Sequence, residues 1–125
     1  MSRLIDVVSF IVLGCFISTN LVGAEKVPSE QMMTKKLEYS KNILDGLLTE
    51  DFQAISKNAK ALNKLGEQKW RETESPRYRT QNQVFWFTSG ALVMAAEQKD
   101  MDAAALSYTQ MTLSCINCHK LIRND

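Results

Sequence analysis

Apolar and polar positions recur along residues 29–124 with the period of a helix. Apolar side chains return at spacings of three and four, the pattern of helices that bury one face. The strand-like alternation of period two does not occur. Polar connections divide the pattern into four segments, and each segment predicts one amphipathic helix.

The first predicted helix covers residues 29–48, with Ser29 as its N-cap. Its expected buried stripe consists of Met33, Leu37, Ser40, Leu44 and Leu47. The second predicted helix begins near Thr49, its candidate N-cap, and fades between Gly66 and Trp70. Its expected buried stripe consists of Phe52, Ile55, Ala59, Leu62 and Leu65.

A charged loop, RETESPRYRT at residues 71–80, precedes the third predicted helix, because Pro76 and the density of charge interrupt the pattern. The third helix has an expected stripe of Val84, Phe85, Thr88, Leu92 and Ala95. The fourth helix opens at Asp100 or Asp102. Its expected stripes are Leu106, Thr109, Leu113 and Ile116 and, beside them, Tyr108, Thr112, Cys115 and His119.

Four amphipathic helices with short connections can bury their apolar faces only against each other. The sequence therefore predicts an all-α protein whose residues 25–125 form one antiparallel four-helix bundle. A content of 45% hydrophobic and 23% charged residues is ordinary for a globular domain. The formal net charge of +1 gives no overall field that would favour nucleic acid as a partner.

The first 24 residues have a different character. Arg3 is followed by a nearly continuous apolar run, VVSFIVLGCFISTNLVGA, which ends in small residues at the positions that signal peptidase recognises. We therefore predict a signal peptide at residues 1–24, cleaved after Ala24, and export to the periplasm. The alternatives are an uncleaved membrane anchor, since the run is just long enough to span a bilayer, and a lipoprotein modified at Cys15.

The short motif CINCH, residues 115–119, contains the remaining cysteines, Cys115 and Cys118, and the single histidine, His119. On a helix, the spacings i, i+3 and i+4 place these three side chains on one face. Two thiols at this spacing can each add to one vinyl group of haem, and the neighbouring imidazole can then reach the iron. C-x-x-C-H is the attachment signature of haem c, so we predict one haem bound covalently through two thioethers.

Three other interpretations of the motif fit less well. Structural zinc needs four Cys or His ligands, and the exported chain has three. A redox-active C-x-x-C is expected near a β-α-β pattern, which the sequence lacks. A bare disulfide between the two cysteines would explain neither the histidine nor the export.

These features together resemble one family, the class II c-type cytochromes typified by cytochrome c′. The resemblance covers residues 25–125 and rests on the leader, the four predicted helices, and a C-terminal motif followed one turn later by a basic residue, CINCHKLIR. The opening of the last helix, KDMDAAAL, is also similar. The resemblance implies that Cys115 and Cys118 anchor the haem, that His119 is the proximal iron ligand, and that Arg123 is a countercharge for the haem propionates.

The sixth position of the iron has several candidates. Because the chain has one histidine, bis-His ligation is excluded. The resemblance places the distal residue in the first half of the first helix, within QMMTKKL at residues 31–37. Met33 is the favoured sixth ligand, Met32 the second candidate, and Leu37 an apolar shield if neither binds iron. The alternative is that both methionines only pack around the macrocycle.

The implied function is that of a one-electron carrier. We do not expect an enzyme, because no residues suggest a general acid, a nucleophile or an oxyanion hole. The expected partners are redox proteins that dock through small interfaces, the haem-attachment machinery and a second copy of the chain, since family members often form dimers. The alternative functions are a five-coordinate haem protein that binds nitric oxide or carbon monoxide, and a haem-free helical interaction domain.

Overall fold

A computed structural model describes residues 29–124. These residues form four α-helices and no strand, which confirms the predicted all-α class. The helices are α1 (Ser29–Thr49), α2 (Phe52–Glu72), α3 (Pro76–Glu97) and α4 (Met101–Asn124). The predicted signal peptide and Cys15 lie outside the described residues. Within the described range, no helix has the length and apolar character needed to cross a membrane.

Consecutive helices run antiparallel, as expected for a bundle with short connections. In the first half of α2, Lys60 forms an ion pair with Glu97 at the end of α3 (2.7 Å). Near the end of α2, the ring of Trp70 contacts the guanidinium of Arg79 at the start of α3, 4.4 Å from the ring centroid. α2 packs closely against α1 and α3, and α3 packs against α4, whereas α1 and α4 have the least contact of the neighbouring pairs. The predicted four-helix bundle is therefore confirmed.

The predicted N-cap of α2 is wrong by two residues. Asp51 caps the helix, since its carboxylate accepts a hydrogen bond from the backbone N–H of Ala54 at 2.9 Å. Thr49 instead ends α1, and its hydroxyl donates to the carbonyl of Asp45. Asp51 is the N-cap because its carboxylate accepts a hydrogen bond from a first-turn N–H that has no partner within the helix.

The predicted loop at residues 71–80 is longer than the one observed. α2 continues without interruption through Gly66 to Glu72, and α3 already begins at Pro76. Proline is tolerated at the first helical position, where its missing N–H would have had no intrahelical acceptor. The start of α4 agrees with the sequence, because Asp100 accepts a hydrogen bond from the N–H of Ala103 at 2.9 Å.

The core confirms the predicted stripe of α2, where Ile55, Ala59 and Leu62 are buried. The prediction for α3 holds for Phe85, Leu92 and Ala95, whereas Val84 is 42% exposed.

The predicted buried stripe of α1 is displaced around the helix. The buried residues are Met32, Ile43 and Gly46, whereas Leu37 is 57% and Leu44 45% exposed. The prediction followed the large apolar side chains of α1. The close approach of α1 to α2, however, occurs at a glycine. At Gly46 a Cβ atom would lie 2.9 Å from a side-chain carbon of Ile55.

The predicted stripe of α4 is wrong for a similar reason. Leu106, Thr109, Leu113 and Ile116 are exposed. The buried face is made mostly of small residues, namely Ala104, Ser107, Met111 and Ser114. Small side chains allow the helix to lie close to its neighbours, and a search for large apolar residues misses them. The adjacent stripe, which includes Cys115 and His119, faces a cleft that is described below.

Gly66 allows α2 and α3 to approach closely. A Cβ atom at this position would lie 2.9 Å from Cδ1 of Phe85 and 3.1 Å from the backbone Cα of Trp86. The backbone atom cannot rotate away, so a larger residue at position 66 would push the two helices apart. Phe85 also forms part of the candidate site, which connects this contact to function.

The substitution Gly66→Ala should destabilise the protein although alanine favours helices. Overpacking lowers the free energy of unfolding by about 1–3 kcal/mol, whereas the higher helix propensity of alanine raises it by about 1 kcal/mol. The matched control is Gly90→Ala, because a Cβ there meets only the side-chain amide of Asn63, at 3.2 Å. Denaturant unfolding should show a lower free energy of unfolding for Gly66→Ala and an unreduced one for Gly90→Ala. Equal stability of the two variants would contradict the close packing at Gly66.

Candidate functional site

A cleft of about 340 Å³ opens between α1 and α4, the neighbouring helices that have the least contact. We call it the α1–α4 cleft. Its walls include Met33, Lys36 and Leu37 of α1 and Cys115, Ile116 and His119 of α4. Its volume falls within the range of roughly 300–1,000 Å³ that is usual for small-molecule sites.

The base of the cleft is apolar. Leu62 of α2, Phe85 of α3 and Met111 of α4 line it, and each is at most 4% exposed. All four helices therefore contribute to the cleft, and residues that are also part of the core fix its base. Such a lining suits a largely apolar ligand that carries a few polar groups.

The CINCH motif lies on the wall that α4 provides. Cys115 and His119 line the main cleft, and Cys118 lines a narrow extension of about 40 Å³ that shares those two residues. Both cysteines are free thiols and half-buried, and His119 is exposed. The predicted helical placement is thus confirmed, since all three residues lie in α4 and their side chains together line the small pocket.

Burial affects the chemistry of one of the two thiols. Removal from water raises the pKa of the Cys115 thiol above its ordinary value, because it disfavours the thiolate. The nearby ammonium group of Lys36 acts in the opposite direction and only partly offsets this effect. Cys115 is therefore mostly a neutral thiol near neutral pH.

Lys36 is the unexpected member of the site. Its ammonium lies over the ring of Phe85, 4.2 Å from the centroid, so the side chain extends into the cleft and not toward water. Burial lowers the pKa of Lys36, and the Cys115 and Cys118 thiols act in the opposite direction. Sequence analysis missed this residue, although its position between Met33 and Leu37 on the cleft-facing stripe was a usable signal.

A hydroxyl contact ties α1 to α4 beside the cleft. Tyr108 of α4 donates a hydrogen bond to the backbone carbonyl of Ser40 at 3.2 Å, and its hydroxyl also lies 3.2 Å from the Ser40 hydroxyl. Ser40 itself lines the cleft. This contact positions the α1 wall relative to the α4 wall.

The candidate distal residues are separated by the fold. Met33 and Leu37 line the cleft, as the sequence suggested for a ligand and a shield. Met32 is 2% exposed and is not part of the cleft lining. Arg123 is exposed on the last turn of α4, one turn beyond His119, and also lies outside the lining.

The side chains of the cleft fit a covalently attached haem. Cys115 and Cys118 offer two sulfurs from one wall, His119 offers an imidazole beside them, and the remaining lining is largely apolar. Residues 29–124 contain no group of three or more His, Cys, Asp or Glu side chains placed to hold a metal ion. A larger depression of about 530 Å³ lies at the N-terminal part of α2 and the C-terminal end of α3. Its lining contains lysines and Glu97 but no sulfur or imidazole.

In the haem-free chain, the thiol of Cys115 should titrate at a higher pH than an ordinary cysteine. The test uses residues 25–125 with Cys118→Ser, so that Cys115 is the single thiol, and follows the rate of alkylation against pH. Because burial favours the neutral thiol, the midpoint should lie above that of the same chain in denaturant. Coincident midpoints for the folded and unfolded chains would contradict the burial of Cys115.

Comparisons with known proteins leave the family of this chain open. Searches against protein-family models, curated proteins and solved structures gave no match. The resemblance to class II cytochromes c therefore rests on the CINCH motif, its position in the last helix and the cleft that this motif borders.

Proposed function

We propose that this chain is an exported monohaem c-type cytochrome of the class II kind that carries single electrons. The observation that carries the proposal is the placement of CINCH. Cys115 and His119 border the apolar cleft, and Cys118 borders with them a small adjacent pocket, so that one helix presents all three side chains at the spacing of the haem c attachment signature. The four-helix architecture supports the same proposal, because bundle cores hold cofactors between facing helices.

Each part of the site has a defined role in this proposal. Cys115 and Cys118 form the two thioethers, and His119 binds the iron from the α4 side. The haem, once bound, supplies a reversible one-electron couple. The buried base of the cleft, which includes Leu62 and Phe85, excludes water and keeps the dielectric low. Arg123 provides positive charge one turn beyond His119.

Electron transfer favours a six-coordinate iron, and α1 supplies donors for it. Met33 and Lys36 both line the cleft opposite the α4 wall, so either side chain is a candidate second ligand. A low-spin iron with two protein ligands changes its geometry little on reduction. The exposed apolar side chains beside the cleft, Leu37 and Ile116, suit a small docking surface for redox partners.

One observation favours a second function. Leu37 lines the cleft beside the candidate donors, so it is placed to shield an open sixth position with apolar surface. In that case the protein binds nitric oxide or carbon monoxide at a five-coordinate iron. The spin state of the iron distinguishes the two functions.

Absorption spectra of the haem-loaded protein, expressed with its leader and with haem-attachment machinery, test the proposal. We expect a low-spin spectrum in the oxidised form, reversible one-electron reduction and little uptake of carbon monoxide, because a protein ligand fills the sixth position. A high-spin oxidised form that readily binds carbon monoxide would refute the electron-carrier proposal in favour of gas binding.

A further inference from the structure

The side chain of Lys36 points inward, whereas surface lysines usually extend their ammonium groups into water. Its nitrogen lies 4.2 Å from the centroid of the Phe85 ring, at the base of the cleft. The adjacent Lys35 is exposed, which shows that the helix offers a solvated alternative one position away. The inward orientation of Lys36 therefore reflects its position on the cleft-facing stripe of α1.

Within residues 29–124, Lys36 forms no ion pair, since the two seen there are Lys60–Glu97 and Arg71–Glu67. Its side chain is half-buried. A partly desolvated cation without a carboxylate partner is unfavourable, and the ring of Phe85 compensates for only a part of the lost hydration. The cleft thus contains a nitrogen donor that gains stability when it becomes neutral.

Lys36 and His119 face the same space from opposite walls. Both line the main cleft and its narrow extension, together with Met33, Phe85 and Cys115. The α4 wall supplies the imidazole and the α1 wall supplies the amine. A planar group attached to Cys115 and Cys118 therefore has one nitrogen donor available on each side.

On the basis of the proposed haem attachment, we propose that the Lys36 amine, and not the Met33 thioether, is the α1 donor that coordinates the iron opposite His119. The nitrogen donates its lone pair to the iron, and the ammonium releases one proton to solvent as the bond forms. Met33 then packs against the ligand as ordinary apolar lining, a role that methionine commonly fills. Lys36, in contrast, is held in the cleft by the contact of its ammonium with the Phe85 ring alone among the contacts seen.

The decisive experiment compares the optical and near-infrared magnetic circular dichroism spectra of the oxidised, haem-loaded protein and three variants. Lys36→Ala should convert low-spin iron to high-spin iron, because it removes the ligand. Met33→Ala should leave the low-spin spectrum unchanged. Lys35→Ala is the matched control, since it removes the same charge from an exposed neighbouring position, and it should also have no effect.

A fourth variant, Lys36→Met, keeps an unbranched side chain of similar size, but its sulfur lies two bonds closer to the backbone than the Lys36 nitrogen. Its spectrum should differ from that of the wild type: the iron becomes high-spin if the sulfur does not reach it, and otherwise acquires the weak long-wavelength band of an iron–thioether bond, which the wild type should lack. Its reduction potential should rise, because a thioether favours the ferrous form more than an amine does. This variant keeps the test valid if Lys36→Ala does not fold, and a Lys36→Met spectrum identical to that of the wild type would overturn the proposal.

The remaining outcomes separate this proposal from the function itself. If Met33→Ala becomes high-spin while Lys36→Ala stays low-spin, Met33 is the ligand, Lys36 is not, and the electron-carrier proposal stands. If the wild-type protein carries haem but is high-spin, the Lys36 proposal is wrong and the gas-binding function is favoured. If the wild-type protein acquires no covalent haem, both proposals are wrong.

Discussion

The close packing of α3 against α2 and α4 leaves the contact between α1 and α4 as the loosest one between neighbouring helices. Gly66 brings α2 against α3 at Phe85, and a face of small residues, including Ala104 and Ser107, is buried on α4. α1 meets α4 much less extensively, and the α1–α4 cleft lies between these two helices. Cys115 and His119 lie on the wall of that cleft, and Cys118 lines the small pocket beside it.

Helix periodicity then converts a five-residue motif into a site. Cys118 and His119 follow Cys115 by three and four residues, so one helix face presents all three, two of them to the cleft and all of them to the small pocket beside it. On the opposite wall, the same periodicity aligns Met33, Lys36 and Leu37. The geometry of the proposed haem site therefore follows from two stripes on antiparallel helices, and the hydrogen bond from Tyr108 to Ser40 positions them relative to each other.

The sequence alone predicted the class of fold, the approximate helices and the CINCH wall, because helical period and motif spacing are local properties. It mispredicted the buried faces of α1 and α4, since closeness of packing depends on small residues such as Gly46 and Ala104, which a hydrophobic pattern undervalues. It placed Leu37 on the buried stripe of α1, although this side chain is 57% exposed, whereas the alternative place of Leu37 as a shield agrees with the cleft lining. The sequence did not predict Lys36 as a site residue, because the orientation of a lysine side chain depends on its contacts with other helices.

The whole proposal depends on covalent binding of haem by Cys115 and Cys118. The intact mass of the exported protein shows whether this bond forms. The protein should be expressed with its leader in cells that attach haem c, then unfolded and treated with an alkylating reagent. We expect the measured mass to equal that of residues 25–125 plus one haem, with neither thiol alkylated. The mass of the bare chain with alkyl groups on both Cys115 and Cys118 would contradict it.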